Sequence, residues 1–113
     1  MREIPCPCCG FLTLEHAYGS HAICPLCDWE DDAVQLANPT SAGGANARSL
    51  AEAQTVALAK YPSNVQMTEG YRRGAKWRPL SSAECEAGNL RKAERHWHAV
   101  AICAESEAYW SGT

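Results

Sequence analysis

Short apolar runs alternate with polar turns over the first third of the chain. Residues 11–14 (FLTL) and 21–24 (HAIC) have the composition of two short strands, and Gly19 between them suits a turn. This pattern predicts that the two runs pair as a small antiparallel hairpin. Residues 38–48 begin with Asn-Pro and contain Gly43-Gly44, so they are predicted to form a loop.

The apolar spacing changes to that of a helix at Ser49. Ser49 and Glu52 have the spacing of a capping box, in which each side chain bonds the backbone N–H of the other residue. The apolar residues that share one face are Leu50, Ala53, Ala57 and Tyr61. Pro62 cannot continue a helix, so the pattern predicts a helix over residues 49–61.

A second capping box, Ser81 to Glu84, opens the last predicted helix, residues 82–109. Its apolar stripe consists of Leu90, Ala93, Trp97, Val100, Ala101, Ala104 and Ala108. Unbroken, this helix would be about 42 Å long, which is more than a domain of this size can cover. We therefore expect a bend or break at Gly88-Asn89; the alternative is that the helix end projects toward a partner along a weaker stripe of His98, Ile102 and Tyr109.

Composition restricts the classes of partner and compartment. The 113 residues carry a net charge of −3, which argues against a dominant electrostatic affinity for nucleic acid or anionic membrane. The N-terminus lacks the apolar run of a signal peptide, and no stretch reaches the roughly 18 apolar residues of a membrane span. We expect a cytoplasmic protein, in which clustered cysteines bind metal or act in catalysis more often than they form disulfides. The cysteine count of seven is odd, which a closed disulfide set cannot accommodate.

Four of the cysteines form two CPxC units separated by fourteen residues, Cys6-Pro7-Cys8-Cys9 and Cys24-Pro25-Leu26-Cys27. Two C-x2-C pairs at this separation are typical of a zinc ribbon, because each turn brings two sulfurs to one side of a tetrahedral ion. Proline after the first cysteine restricts φ, and Gly10 permits the left-handed backbone that ends such a turn. The predicted metal ligands are Cys6, Cys9, Cys24 and Cys27, which together hold one structural Zn2+. A redox dithiol and unrelated free thiols are the alternatives.

The remaining cysteines and the histidines are weaker candidates for chemistry. Cys8 is predicted to be an exposed, reduced cysteine, although a reactive thiol is the alternative. Cys85 and Cys103 are predicted to be packing residues. His16 and His21 flank the predicted turn and could each replace a cysteine ligand.

These elements predict a single α+β domain over residues 1–113. Its N-terminal part, residues 1–38, is a zinc ribbon with a small antiparallel β-hairpin. Two or three α-helices follow, over residues 49–61 and 82–109.

Two charged runs of opposite sign suggest where a macromolecule could bind. Residues 28–32 place four carboxylates around one tryptophan; the members of this predicted partner-binding surface are Asp28, Trp29, Glu30, Asp31 and Asp32. The runs either pair within the fold or leave one of them exposed for a partner. An acidic surface would complement the basic cleft of a protein that acts on nucleic acid, so we expect a protein partner, with Trp29 either as its anchor or as a core residue.

The basic run, residues 71–78, supports the alternative of a nucleic-acid-binding module. Tyr71 and Trp77 lie among four basic residues and could stack on bases. No enzyme is expected, because the only acid–base cluster, Glu30, Asp31, Asp32 and His16, matches no nucleophile–base–orienter set. No small-molecule substrate and no membrane partner are expected either.

Several motifs in order resemble the bacterial cysteine-rich CPCC proteins. They are CPCCGFLTL, ICPLCDWEDD, Gln35, Pro39, GGAN (43–46) and SLAEAQ (49–54). The resemblance is dense over residues 5–61, loose over 62–80 and fades in the last helix. It implies a small zinc-ribbon domain whose metal cysteines correspond to the four named above. It also implies no common activity, although some members look like immunity proteins encoded beside secreted bacterial toxins.

Overall fold

The computed structural model describes residues 3–94 and 96–112, without the side chains of residues 3 and 97. In chain order its elements are β1 (Glu3–Pro5), β2 (Leu12–Glu15), α1 (Ala33–Ala37), α2 (Leu50–Lys60), β3 (Met67–Thr68), β4 (Tyr71–Arg72) and α3 (Ser82–Lys92). Two 3₁₀ turns, Trp97–Ala99 and Glu105–Glu107, follow α3. Helices together with small antiparallel hairpins confirm the predicted α+β class. None of the helices in the described ranges has the length and apolar character needed to cross a membrane.

The N-terminal hairpin forms from a different pair of strands than the sequence predicts. β2 pairs antiparallel with β1, with Ile4 opposite Leu14, so the predicted pairing of residues 11–14 with 21–24 is wrong. Residues 21–24 contribute only a single bridge, between Ile23 and Glu30. The reason is that His16, Gly19 and His21 all have positive φ angles of 68°, 93° and 63°, which turn the chain away before it can return alongside β2.

The first predicted helix, over residues 49–61, is confirmed as α2. The Ser49 side chain accepts from the Glu52 N–H and the Glu52 carboxylate accepts from the Ser49 N–H, which completes the capping box. Leu50 and Ala57 on the predicted apolar face are buried, as is the C-cap residue Tyr61. The predicted loop over residues 38–48 is also confirmed, since it contains no helix or strand.

The predicted helix over residues 82–109 is wrong beyond Lys92, where α3 ends. Its capping box, Ser81 with Glu84, is present. Gly88 does not break the helix: it is buried inside α3, and a Cβ there would lie 3.0 Å from Thr40 Oγ1, so glycine lets α3 pack closely on the loop. Leu90, expected in the core, is 76% exposed. The Trp97 side chain of the predicted stripe lies outside the described part of the chain.

After α3 the chain folds back onto the N-terminal part instead of continuing outward. The Tyr18 N–H donates to the Cys103 carbonyl at 2.7 Å, and the Ile102 N–H donates to the Ala33 carbonyl at 3.0 Å. The Trp110 side chain is fully buried with its ring edge-on to Tyr18. Cys103 lies on this returning segment and is exposed, so the prediction that it is a packing residue is wrong.

Candidate metal centre

Residues 6–10, the first knuckle, and residues 24–28, the second knuckle, have the same backbone hydrogen bonds. In the first, the Cys6 N–H donates to the carbonyl five residues on at 2.9 Å, and the Gly10 N–H donates back to the Cys6 carbonyl at 2.8 Å. In the second, the Cys24 N–H donates to the Trp29 carbonyl at 2.9 Å, and the Asp28 N–H donates back to the Cys24 carbonyl at 3.0 Å. The two CPxC units therefore fold as two copies of one turn.

Each knuckle ends on a residue with a left-handed backbone. Gly10 has φ of 83°, as the sequence predicts, and Asp28 occupies the matching position with φ of 67°. Glycine adopts this conformation without steric cost, and aspartate tolerates it better than most residues. The sharp turns place the two predicted ligand cysteines of each knuckle on the same side of the chain.

The four predicted ligand sulfurs converge on one point between the knuckles. The Sγ atoms of Cys6, Cys9, Cys24 and Cys27 all lie within 4.8 Å of one another. Sγ of Cys6 is 3.6 Å from Sγ of Cys27, and Sγ of Cys9 is 3.8 Å from Sγ of Cys24. A tetrahedral ion with metal–sulfur bonds of about 2.3 Å requires sulfur–sulfur distances of about 3.8 Å, whereas a disulfide requires about 2.05 Å. All seven cysteines are free, so these four could hold a metal ion.

The cluster is buried, and its thiols influence one another's protonation. Burial raises the pKa of Cys6, and hydrogen bonding with Cys24 raises the pKa of Cys9 and of Cys27. Hydrogen bonds from its neighbours, Cys27 first, lower the pKa of Cys24. A divalent cation bound between the four sulfurs would favour the thiolate form of each. Binding of such a cation would release protons.

Two groups outside the ligand set approach the sulfur of Cys24. Thr13 on β2 places its Oγ1 3.1 Å from Cys24 Sγ, and the Leu26 N–H donates to the same sulfur at 3.4 Å. Groups of this kind orient a ligand and increase the metal affinity of a site. Sequence reasoning missed Thr13, because it lies on the strand that follows the first knuckle and nothing local links it to the second.

Cys8 lies elsewhere than predicted, and the two nearby histidines lie outside the ligand set. Cys8 is 2% exposed, so the prediction of an exposed thiol is wrong: the knuckle turns this side chain into the core cluster. His16 and His21 are exposed and are not members of the cysteine group. His21 instead lies 3.5 Å from the carboxylate of Glu30.

The acidic run, residues 28–32, is largely interior. Trp29 is 2% exposed and Asp31 is 1% exposed. The Asp31 carboxylate accepts from the N–H and the hydroxyl of Ser20 at 2.9 and 2.6 Å, and buried Asp32 caps α1. The run is not one continuous partner surface, because a partner could reach only Asp28 and Glu30 without disrupting the fold.

The basic run, residues 71–78, contains the buried guanidinium of Arg73. Arg73 is 4% exposed, and its guanidinium lies 4.4 Å from the ring centroid of Phe11. Desolvation lowers its pKa. The carbonyls that accept from it belong to Cys9, Tyr61, Pro62 and Val65, at 2.7 to 3.0 Å. Arg73 thus ties the first knuckle to the chain after α2.

The acidic and basic runs do not pair with each other in the described residues. Arg78 makes a two-bond ion pair with Glu84 on α3, at 2.8 and 2.7 Å, which lowers the pKa of Glu84 to about 2. Trp77 is 8% exposed and donates its indole N–H to the Pro7 carbonyl at 3.2 Å. The basic run therefore braces the first knuckle and α3.

A buried amide organises the loop that follows α1, and sequence reasoning assigned it no role. Gln35 donates from its side chain to the carbonyls of Ser41, Asn46 and Arg48, each at 3.1 Å. Asn46 in turn brackets Glu30, accepting from its N–H and donating to its carbonyl at 2.8 Å. This network holds the loop against the segment that leaves the second knuckle. The only signal for it in the sequence is the family resemblance, which includes Gln35 and the GGAN segment.

A comparison with protein-family models matches residues 4–73 to the family described as "Cysteine-rich CPCC". The chain belongs to the cysteine-rich CPCC family. The matched range contains both knuckles and ends at Arg73, the residue that joins the first of them to the chain after α2. None of the curated proteins matches the chain. Family membership and the four-cysteine cluster together identify a small metal-binding structural domain of the cysteine-rich CPCC family.

Proposed function

We propose that Cys6, Cys9, Cys24 and Cys27 hold one structural Zn2+ and that the protein acts by binding another protein. The observation that carries the metal assignment is the arrangement of the four sulfurs, two of whose separations, 3.6 and 3.8 Å, match a tetrahedral thiolate site. Thiolates are soft ligands, and an S4 tetrahedron is typical of zinc or of iron. The cytosolic setting expected from the sequence and the two-knuckle spacing favour zinc.

Elemental analysis of the purified chain tests the metal assignment. Protein prepared under reducing conditions is expected to contain one zinc per chain, whereas the variant Cys9→Ser should lose it and Cys85→Ser should keep it. Cys85 is a suitable control because it is half-buried and lies on α3, outside the cluster. One iron per chain would replace zinc in the proposal, and a chain without stoichiometric metal would overturn it.

Protein binding is supported by what the metal site leaves for function. Four protein ligands fill a tetrahedral shell, so such a site stabilises the fold and offers no open position to a substrate. In the predicted acid–base cluster, Asp31 already accepts two bonds from Ser20 and Asp32 caps α1. The absence of catalysis stays a prediction. We infer that the exposed surface, held in shape by the metal, carries the function.

The most specific form of this proposal is an immunity protein that neutralises a bacterial toxin. Its support is the family resemblance together with the carboxylates of exposed Asp28 and half-buried Glu30, which would complement a basic cleft. Affinity capture from the native host with the tagged, metal-loaded chain should recover one stoichiometric protein partner, and that complex should weaken as salt rises. The captured partner should arrest growth when expressed alone and lose this effect when co-expressed with the chain. Capture without any protein partner would overturn the binding proposal.

The alternative of a nucleic-acid-binding module receives less support from the structure. Of the basic run that motivated it, Arg73 and Trp77 are buried and Arg78 is paired with Glu84. A fluorescence titration with single strands at low salt tests it directly. Arg72 and Lys76 are the basic residues of the run that stay exposed, and a lack of binding even at low salt would eliminate this alternative.

A further inference from the structure

An open groove of about 530 Å³ lies beside the second knuckle. One wall comes from the chain through and around that knuckle, from Ile23 to Glu30, and the other comes from the chain between Ala45 and Tyr61, which includes α2. α2 has 11 residues and is about 16 Å long. Of α2, the stretch from Ala53 to Lys60 lines the groove, which is about 10 Å of helix axis. The groove is open, and its volume is in the range that binding sites occupy.

Exposed apolar side chains lie on both walls of this groove. Ile23 on the knuckle wall is 61% exposed, and Val56 on the α2 wall is 51% exposed. The other large hydrophobic residues with comparable exposure in the described ranges are Met67, Leu90 and Val100, and none of them lines the groove. Single exposed apolar residues are ordinary, but two that face one concavity over a buried apolar floor mark an interaction site.

The charges around the groove are segregated by wall. Asp28 and Glu30 lie on the knuckle wall, and Arg48 and Lys60 lie on the α2 wall. No ion pair within 4 Å joins the two walls among the described side chains. A segment that lies along the groove would meet negative charge on one flank and positive charge on the other.

Trp29 adds an unused polar group to the same site. It lines the groove and is 2% exposed, yet its Nε1 has no hydrogen-bond partner in the described part of the chain. Buried indole N–H groups ordinarily have an acceptor. The described residues supply no acceptor here, and the nitrogen is too buried for an occupant to reach unless the wall of the groove moves.

We propose that this groove binds an amphipathic helix of another protein. The helix places its apolar stripe between Ile23 and Val56, its basic side chains toward Asp28 and Glu30, and its acidic side chains toward Arg48 and Lys60. This inference rests on the proposed protein-binding function and names the surface that performs it. The apolar floor and the two charged edges match the recognition of a helix in a groove, whereas a nucleic acid or an anionic membrane would be repelled by the acidic wall.

A display library of amphipathic helical peptides, selected on the metal-loaded full-length chain, tests the proposal. Selected peptides should share an apolar stripe with basic residues on one flank and acidic residues on the other. Val56→Glu should weaken their binding by about tenfold or more, as expected for an anchor position. Leu90→Glu, an equally apolar and more exposed position on α3, should change it less than about twofold. The double variant Arg48→Glu with Lys60→Glu should weaken binding and reduce its salt dependence.

Four outcomes would overturn the proposal. The first is a library that yields no binder, and the second is a set of peptides whose affinity is unchanged in Val56→Glu. The third is selected peptides that lack the mixed-charge flanks. The fourth is sedimentation analysis in which the wild type dimerises and Val56→Glu does not, because a second copy would then occupy the groove.

If affinity capture still recovers a partner that also binds Val56→Glu, only the groove assignment fails and the protein-binding function stands. Unchanged zinc content and melting temperature in Val56→Glu confirm that the variant is folded.

Discussion

The first knuckle is covered by Gln54 of α2 and by residues 73–77, which together are called the lid, whereas the second knuckle lies at the surface. Gly10 is covered by Trp77, the Pro7 carbonyl accepts from both Gln54 and Trp77, and Arg73 holds the Cys9 carbonyl. In the second knuckle Pro25 and Asp28 are exposed, and Cys27 is only half-buried. The backbone turns are nevertheless the same.

The comparison separates two ways of stabilising one local structure. Packing and hydrogen bonds from α2 and the 73–77 segment hold the first knuckle, whatever occupies the cluster. The second knuckle has fewer such contacts, so we expect its order to depend more on a bound metal. Regions with few buried contacts open at lower free energy than the rest of a fold, which makes the difference measurable.

Removal of the metal is expected to have the largest effect. Structural zinc supplies roughly 10–16 kcal/mol of apparent binding free energy in small domains, so excess chelator should lower the melting temperature sharply or unfold the chain. Hydrogen exchange at partial removal should show amides 24–28 losing protection before amides 6–10. Equal loss in both knuckles would show that the lid does not stabilise the first one independently, and an unchanged melting curve would exclude a structural metal.

Substitutions at the residues that end the two knuckles should differ in the size of their effect on stability. In Gly10→Ala the new Cβ would lie 2.3 Å from the Trp77 ring in a left-handed backbone with φ of 83°, so we expect a loss of about 3 kcal/mol in unfolding free energy. Asp28→Gly relieves the same backbone strain in an exposed position and should change stability by no more than about 1 kcal/mol. Urea denaturation with saturating zinc measures both. Similar losses in the two variants would refute the proposed difference in packing.

Arg73 gives a test of the lid itself. Arg73→Lys keeps the charge, but an ammonium cannot reach all four carbonyls that the guanidinium contacts. We expect a loss of about 2–4 kcal/mol, since buried carbonyls are left without a donor, with faster exchange in the first knuckle. The neighbouring exposed residue is the matched control, and Arg72→Lys should stay within about 0.5 kcal/mol. If both variants unfold at the same urea concentration, Arg73 does not brace the knuckle.

Thr13 connects the two knuckles and should have the smallest effect of the four. Its hydroxyl lies 3.1 Å from Cys24 Sγ, so Thr13→Val should lower zinc affinity by about tenfold, measured by competition with a chromogenic chelator. Thr13→Ser should restore most of the affinity because it keeps the hydroxyl. Thr55→Val, on the exposed face of α2, serves as the control and should not change it. An affinity that depends on the methyl group and not on the hydroxyl would contradict this role.

The sequence alone predicts those parts of this fold that depend on local chemistry. The CPxC units, Gly10 and the two capping boxes each specify a turn or a helix start within a few residues. The pairing of β1 with β2 is not predicted, because the turn between these strands is the first knuckle and not an ordinary hairpin turn. The run HAIC has the composition of a strand, but in the structure it forms only the single bridge to Glu30. The end of α3 is not predicted because the alanine-rich stripe after Lys92 is compatible with a helix. In the structure this segment instead folds back and bonds to the N-terminal part of the chain.

The candidate site was predictable in its ligands and not in its surroundings. Arg72 and Arg73 are adjacent residues of one type, yet the first is exposed and the second is buried against Phe11. Asp31 and Asp32 likewise suggest a solvated acidic surface, whereas their carboxylates bond to Ser20 and to the start of α1. Asp32 has a local signal, since its carboxylate accepts from N–H groups two and three residues on, as a typical N-cap does. The burial of Arg73 and Asp31 depends on partners distant in sequence, which local patterns do not identify.

The left-handed aspartate at position 28 bears on how relatives of this chain are recognised. A search pattern that demands glycine directly after each CxxC would accept the first half of this protein and reject the second. Allowing aspartate or asparagine there would retrieve sequences whose second knuckle is otherwise overlooked. In such sequences, the knuckle that ends on aspartate or asparagine instead of glycine would be the one expected to be exposed to solvent.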